Sequence, residues 1–403
     1  MTTIWAQISF VFFLAILGSI ISRKFRISTA LSEIIVGMLA RLALTYTLGV
    51  ELFSVQEPWI RTLAGIGAIF LTFLAGAELD PDVFKLKWKE AAAVGLSSFL
   101  LPSVGCWAAA HFLLGWDNNS SLLAGIALAA TSVAVVYTVM MEYGFNKGNF
   151  GKTILAACFI TDLGTVITLG LVFAPFTWKT LLFAGLLVIT FILLPKLTRR
   201  AFLIFGGQSS EFEAKYLLFF LLALGALATW AESEAVLPAY LIGMALAGSV
   251  GRDHALIRRL RTITIGLLTP FYFIRAGYFV SIATVITAPL SIILLLLTEI
   301  SAKIISVYPV ARYFGSPHRD AMYTTLLMAS GLTFGTICVL FGLSHKIIDE
   351  QQYSTLVASI IATAIIPTLI ANSYYLPRNH LPNDNIQELS EEAGIIKMDE
   401  ELR

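Results

Sequence analysis

Thirteen stretches of about 20 largely apolar residues constrain the fold of this chain more than any other feature. The bilayer core offers no water, so a chain that crosses it must satisfy its own backbone hydrogen bonds, and an apolar helix does so. Of the 403 residues, 57% are hydrophobic and 13% are charged, whereas about 25% are charged in a typical soluble chain. The sequence therefore predicts an all-α membrane protein.

The predicted spans follow one another with short connections. They lie near residues 4–22, 30–48, 60–78, 90–113, 120–141, 151–174, 178–202, 214–231, 235–250, 262–281, 286–311, 320–343 and 352–374. Lys and Arg collect in cytoplasmic loops, so their distribution orients the spans. With the amino terminus outside, the inner loops hold most of these cations, including the basic group Arg252, Arg258, Arg259 and Arg261. We therefore predict an outside amino terminus and a cytoplasmic carboxyl terminus. No organelle signal is seen, so we expect residence in the cell inner (plasma) membrane.

Composition also excludes several classes of function. The net charge is +1, so no basic excess exists to neutralise phosphates, and nucleic acid is not an expected partner. The three cysteines lie in apolar stretches and the five histidines are scattered, which gives no metal-ligand spacing. The chain carries no G-x-S-x-G or H-E-x-x-H pattern, so the sequence does not predict an enzyme.

Asp162 is the deepest ionisable residue, about halfway along the sixth predicted span. An ionisable group at that depth costs a few kcal/mol or more, so it needs a partner or a function. One interpretation is structural, with the carboxylate satisfied by the hydroxyls of Thr161 and Thr165. The other is a carboxylate that holds a proton and a metal cation in alternation, because both compete for the same oxygens. The sequence favours the second, with Na⁺ or K⁺ as the metal ion at Asp162.

Other ionisable groups in the predicted spans offer partners for that site. Glu299 and Lys303 are four residues apart in the eleventh span, so they share one helical face and can pair directly. A structural salt bridge explains Glu299 equally well, whereas Lys303 can also neutralise a carboxylate on another helix. Arg275 in the tenth span has Glu33, Glu78 and Glu299 as alternative partners, in a structural or gating role. The sequence leaves that pairing open.

The fifth and twelfth spans combine small and hydroxyl residues at mid-membrane, namely Thr131 and Ser132 in the fifth and Ser330, Gly331 and Thr333 in the twelfth. Ordinary helices with back-bonded hydroxyls, or a glycine packing contact, would also accommodate them. The two spans occupy equivalent positions in two six-helix blocks separated by the seventh span. Inverted-repeat transporters place broken helices at such positions, around an ion site at the midplane. We therefore predict two inverted repeats with interrupted helices.

Several motifs, in this order, resemble those of the monovalent cation/proton antiporter superfamily, in its Kef-like and NapA-like branch. The likeness covers nearly the whole chain, and any one motif alone is weak. The motifs are Leu31–Leu39 (LSEIIVGML), Phe73–Asp80 (FLAGAELD), Ala127–Val133 (ALAATSV), Thr161–Asp162, Leu268–Phe273 (LTPFYF), Lys303 and Ala362–Pro367 (ATAIIP).

The resemblance implies a fold of 13 transmembrane helices, two inverted six-helix repeats and crossed discontinuous helices, as in NhaA-like and NapA-like antiporters. It implies a homodimer that works by elevator-like movement of a core. The expected divisions are a membrane transporter domain at 1–377 and an acidic cytoplasmic tail at 378–403. Within the transporter domain, we expect a dimerisation part at 1–85 and 205–283, a linker helix at 176–204, and a core ion-transport part at 86–175 and 284–377.

By motif position, the resemblance makes Asp162 the cation and proton carboxylate, with oxygens from Thr131 and Ser132 and a cationic partner in Lys303. Electrogenic relatives carry two adjacent carboxylates where this chain has Thr161 and Asp162. One carboxylate carries one proton or one cation, which favours electroneutral 1:1 exchange. The missing acid is also the residue with which Lys303 would be expected to pair.

A second departure lies in the twelfth helix, where Ser330–Thr333 replaces a G-R-G-E-like run and carries no charge. The sequence thus predicts a secondary active antiporter without cofactor, whose partners are membrane lipid, protons and Na⁺, with K⁺ or Li⁺ as alternatives. The rival interpretations are a K⁺/H⁺ antiporter or Kef-type regulated K⁺ efflux system, and an ion channel.

Overall fold

A computed structural model describes residues 4–25, 28–44, 57–77, 81–145, 148–173, 177–206, 211–231, 236–250 and 253–380. All regular structure in these ranges is helical. The helices are α1 (Ile4–Phe25), α2 (Thr29–Ala43), α3 (Pro58–Ala77), α4 (Pro81–Ala108), α5 (Asn118–Ala129), α6 (Val133–Glu142), α7 (Asn149–Phe173), α8 (Trp178–Phe205), α9 (Phe212–Trp230), α10 (Val236–Leu246), α11 (His254–Ile263), α12 (Thr269–Tyr278), α13 (Ile282–Thr287), α14 (Pro289–Tyr313), α15 (His318–Met328), α16 (Leu332–Ser344) and α17 (Glu350–Tyr374).

Nine helical stretches in the described ranges are long and apolar enough to cross a membrane. They are Ile4–Lys24, Pro58–Ala77, Lys87–Leu113, Asn149–Phe173, Trp178–Phe205, Phe212–Trp230, Pro289–Tyr313, His318–Ser344 and Glu350–Tyr374. The other four predicted spans coincide with shorter or divided helices. The all-helical membrane fold is therefore confirmed, while the number thirteen stays a prediction.

Two of the predicted spans are divided near their middles. The fifth splits into α5 and α6, with residues 130–132 in non-helical conformation between them, and the twelfth splits into α15 and α16 around residues 329–331. Both interruptions fall on the hydroxyl-rich and glycine-containing segments that the sequence singles out. The tenth span is divided differently, by the π-helical turn Thr264–Leu268 between α11 and α12.

The basic connection before the tenth predicted span is helical. α11 contains Arg258, Arg259 and Arg261. Its start is capped by Asp253, whose carboxylate accepts hydrogen bonds from two backbone N–H groups of the first turn. Leu256 and the other apolar residues of its inner face are buried, so burial of one face stabilises a helix in spite of its charges.

The helices pack in two groups. α4 contacts α5, α7 and α14, and α17 contacts α14, α15 and α16. In the second group, α2 packs on α1 and α12, and α3 packs on α10 and α12. α8 contacts α9 and α10 and exposes many apolar side chains, such as Leu203, which is 79% exposed. An apolar outer surface of this kind is expected for a helix that faces lipid.

Glycines bring two helix pairs of the second group into backbone contact. A Cβ atom at Gly37 would collide with the carbonyl oxygen of Ile274, and a Cβ atom at Gly277 would collide with that of Ile34. The same reciprocal arrangement joins α3 and α10, where Gly76 meets Tyr240 and Gly243 meets Phe73. In each of these helices, the glycine lies three residues after the residue whose carbonyl oxygen meets the glycine of the other helix. Continuous helices can approach this closely only where side chains are absent.

Candidate ion-binding site between the interrupted helices

The two interruptions cross each other in the interior. The Ser132 N–H donates a hydrogen bond to the carbonyl oxygen of Ser330, and the Thr131 hydroxyl donates to the carbonyl oxygen of Met328 at 2.8 Å. The Ser132 and Thr333 hydroxyl oxygens are also 2.8 Å apart. A Cβ atom at Gly331 would lie 2.8 Å from the Ala130 carbonyl oxygen, so glycine allows this crossing. Backbone groups that a continuous helix would use internally are available here.

Lys303 of α14 extends to the end of α5. Its amine donates hydrogen bonds to the Ala129 carbonyl oxygen at 2.8 Å, the Ser98 hydroxyl at 2.9 Å and the Thr131 hydroxyl at 3.3 Å. The side chain is fully buried. The last carbonyls of a helix carry partial negative charge and favour a cation, so the end of α5 is a suitable position for this amine.

Asp162 of α7 lies beside this crossing. It is fully buried, and neither of its carboxylate oxygens accepts a hydrogen bond from the part of the chain that the structure describes. The Lys303 amine and the Thr131 backbone N–H lie near the carboxylate and favour its negative charge. An unpaired buried carboxylate is costly, so its surroundings favour binding of a proton or a cation at these oxygens.

The hydroxyl of Thr161, next to Asp162 in the chain, is directed elsewhere. It donates to the carbonyl oxygens of Gly95 and Ala157, at 3.1 Å each, and so joins α7 to α4. Thr165 also donates to the backbone, at the carbonyl of Thr161. The structural interpretation of Asp162, in which these two hydroxyls satisfy the carboxylate, is therefore wrong.

Glu299 lies one turn before Lys303, is fully buried, and accepts no hydrogen bond within the described residues. The direct hydrogen-bonded pair that the four-residue spacing allows is not formed, because the amine of Lys303 is directed to α4 and α5. Its nearby groups are the Lys303 amine and the Cys106 thiol. Glu299 thus belongs to the same buried cluster, although no hydrogen bond among the described residues joins its carboxylate to the other members.

Arg275 and Glu33 lie apart from this cluster. Arg275 of α12 is buried, with its guanidinium 5.0 Å from the centre of the Phe279 ring. Glu33 of α2 is buried against α1, where a Cβ atom at Gly18 would be 3.1 Å from its Cγ atom. Glu299 accepts no hydrogen bond from Arg275. Glu78 lies outside the described residues.

Sequence reasoning missed three residues near Asp162. Ser98 accepts from Lys303, and the pair Ser97-Ser98 inside an apolar helix was the available signal. Tyr240 of α10 donates to the Phe159 carbonyl at 2.9 Å, which links the two helix groups on the Asp162 helix. Cys158, one turn before Asp162, is buried, with its sulfur 3.6 Å from that of Met328.

Comparison with known proteins identifies the family of this chain. Residues 10–372 match the model of the family described as sodium/hydrogen exchanger, transmembrane. The chain is 26% identical to the probable Na(+)/H(+) antiporter 3 of Methanocaldococcus jannaschii, over 88% of this chain and 92% of the relative. It is also 26% identical to the Na(+)/H(+) antiporter of Enterococcus hirae, over 88% of this chain and 93% of the relative.

A third relative is longer than this chain, and a solved structure shares its fold. The glutathione-regulated potassium-efflux system protein KefC of Enterobacter sp. (strain 638) is 27% identical, over 84% of this chain but 58% of the relative. The structure of the sodium proton antiporter MjNhaP1 from Methanocaldococcus jannaschii superimposes with a TM-score of 0.66 at 16% identity, covering 92% of this chain and 97% of that one. On the strength of the family match over residues 10–372, the chain belongs to the transmembrane sodium/hydrogen exchanger family, a group of multi-pass membrane proteins within the cation/proton antiporter superfamily.

Proposed function

We propose that this chain is a secondary active antiporter that exchanges Na⁺ for H⁺, with Asp162 as the group that holds each ion in turn. The observation that carries the proposal is the unpaired, fully buried Asp162 carboxylate beside two crossed helix interruptions. Carboxylate, hydroxyl and carbonyl oxygens are the ligands that hard cations prefer. Two relatives over most of their length carry names that state Na⁺/H⁺ antiport.

The proposed exchange is electroneutral, with one Na⁺ for one H⁺. Thr161 occupies the position of a second carboxylate in electrogenic relatives, and its hydroxyl is bonded to α4 and within its own helix. Asp162 alone then carries the cargo at that position. H⁺ and Na⁺ exclude each other there, because a carboxylate oxygen that binds one ion is not available to the other.

The proposed architecture is 13 spans in two inverted repeats. Under the predicted correspondence, the second span pairs with the ninth and the third with the tenth. The α2–α12 contact, between spans two and ten, then corresponds to the α10–α3 contact, between spans nine and three. Both contacts use reciprocal glycines in the same spacing, which supports the repeat.

We further propose alternating access by elevator-like movement of the core part against a dimerisation part, in a homodimer. Polar contacts between the two helix groups include the Tyr240 hydroxyl with Phe159, and the Tyr353 hydroxyl with the Ala276 carbonyl at 2.8 Å. In the proposed movement, contacts of this sort are broken and formed again. The proposed membrane is the cell inner membrane, with the amino terminus outside and the carboxyl terminus in the cytoplasm.

Exchange of K⁺ for H⁺ is the second candidate, because KefC proteins are among the relatives. The chain spans 58% of the length of that relative.

The test is Na⁺-driven and K⁺-driven proton movement in proteoliposomes, measured side by side. Asp162→Asn is expected to lower exchange at least about 100-fold, as for loss of an essential ionisable group. Asp117→Asn is the matched control, because Asp117 is exposed at the start of α5 and asparagine caps a helix equally well. Full exchange by folded Asp162→Asn would refute the assignment, and a response to K⁺ alone would select the second candidate.

A further inference from the structure

Glu299 is the second fully buried carboxylate in the cluster around Lys303, and the proposed function assigns it no task. It belongs to α14, and neither of its oxygens accepts a hydrogen bond from the described residues. The Lys303 amine acts on it electrostatically, and the Cys106 thiol on α4 lies near it. A carboxylate without hydrogen bonds is costly in this position, and the positive charge of Lys303 offsets part of that cost.

The surroundings of Lys303 favour a charged ammonium over a neutral amine. The Ala129 carbonyl can only accept, and the Thr131 hydroxyl accepts because its own hydrogen is donated to Met328. With Ser98, the amine donates three hydrogen bonds. An ammonium donates to all three oxygens, and the partial negative charge at the end of α5 favours it over a neutral amine, which would have to accept from Ser98 instead.

The charges of this cluster can then be added. The Lys303 ammonium and the Asp162 carboxylate cancel, and a loaded Na⁺ would leave one positive charge in the bilayer core. We infer that Glu299 is the charge-balancing residue of the exchanger: its carboxylate gives the empty site one net negative charge, which either one Na⁺ or one H⁺ neutralises. This inference rests on the proposed Na⁺/H⁺ exchange and deepens it.

The balance explains why transport would be both coupled and electroneutral. A neutral loaded site crosses the low-dielectric core readily, whereas a charged empty site does not, because uncompensated charge is expensive there. Without Glu299 the order reverses, since the empty site becomes neutral and the loaded site positive. The empty carrier would then cross without cargo, and each loaded crossing would move charge.

The experiment measures efflux of radioactive sodium from proteoliposomes that contain the full chain, with voltage set by valinomycin and K⁺ gradients. Wild-type efflux is expected to change less than about 2-fold per 100 mV, because no net charge moves. Glu299→Gln efflux is expected to respond to voltage several-fold, up to about 50-fold per 100 mV if one full charge crosses the field. It should also proceed without a matching uptake of protons.

Two further variants separate charge from shape. Glu299→Asp keeps the carboxylate and should retain voltage-independent exchange. The double variant Glu299→Gln with Lys303→Gln again has one negative charge in the empty site, and it should recover coupled, voltage-independent exchange. Glu350→Gln, at the exposed start of α17, is the matched control for loss of an acid.

The inference is overturned by voltage-independent, coupled exchange in Glu299→Gln, or by a folded, inactive Glu299→Gln that the double variant does not rescue. An inactive Glu299→Gln that the double variant restores supports it. Wild-type protein that moves no protons in response to Na⁺ would instead contradict the proposed function, so the two failures are distinguishable.

Discussion

The glycine-packed helix pairs and the crossed interruptions both bring backbones into contact, but they treat backbone hydrogen bonds in opposite ways. In the α2–α12 and α3–α10 pairs, uninterrupted helices meet at glycines such as Gly37 and Gly277. At the crossing, the helices stop, and the carbonyls of Ala129 and Ser330 accept hydrogen bonds from other helices. Close packing of continuous helices gives a fixed frame, whereas interrupted helices supply polar groups for a site.

The largest expected effect lies in the continuous pairs. Gly277→Ala should lower the free energy of unfolding by about 3 kcal/mol, because its Cβ atom would collide with the Ile34 carbonyl and helices of fixed backbone relax poorly. Gly185→Ala in α8 is the control, since no atom beyond its chain neighbours and the backbone of its own helix lies within 4 Å of the added Cβ atom. Thermal unfolding in detergent measures both. Equal stability of the two variants would end the distinction between the two kinds of contact.

A smaller effect is expected at the far end of α5, where Asp117 caps the helix that ends at the crossing. Asp117→Ala should cost about 1 kcal/mol, and Asp117→Asn little, because asparagine also accepts from the first-turn N–H groups. The Ser120 hydroxyl donates to the Asp117 carboxylate and lowers the pKa of that group.

The lowered pKa gives this cap a pH dependence with a defined sign. A carboxyl whose pKa is lower in the folded state stabilises the fold above its unfolded pKa of about 3.9, and that contribution is lost as the pH falls through the folded value. Unfolding measured from pH 6 down to pH 3 should therefore bring wild type closer to Asp117→Ala. A stability difference that is constant over this range would contradict the expected role of the charge.

The smallest expected effect is the coupling between Ser132 and Thr333 across the crossing. Ser132→Ala, Thr333→Val and the double variant form a double-mutant cycle that measures the 2.8 Å contact between the two hydroxyls. A coupling of about 0.6 kcal/mol is expected, as for other side-chain hydrogen bonds between membrane helices. A much larger coupling would mean that the crossing contributes to the frame as strongly as the glycine pairs do.

The sequence located the interruptions because their causes are local. Hydroxyl residues and glycine at Thr131, Ser132 and Gly331 weaken a helix where they stand, and the burial of Asp162 follows from its place in an apolar segment. The direction of a long side chain is not local. The amine of Lys303 reaches Ser98 and Ala129 on other helices instead of Glu299 on its own, and helical spacing alone could not indicate this.

The pattern of charges alone also could not predict that α11 is a helix. A hydropathy window detects segments that cross the membrane, and the arginines of this segment remove it from that class. The helix is stabilised by the burial of Leu256 and Leu260 on its apolar face, and this packing depends on residues distant in the sequence. Arg259 then pairs with Glu211 at 2.7 Å, and no spacing in the sequence relates these two residues.

The burial of all three cysteines has a practical consequence. The native chain presents no surface thiol, so one cysteine introduced on the outside can be labelled selectively without removing the others. Cys158 lies one turn before Asp162, and its sulfur contacts that of Met328, so its reactivity can report on access to the ion site. A small thiol reagent in the water would reach it only in conformations that wet the ion site, and its modification rate would therefore record how often that site opens.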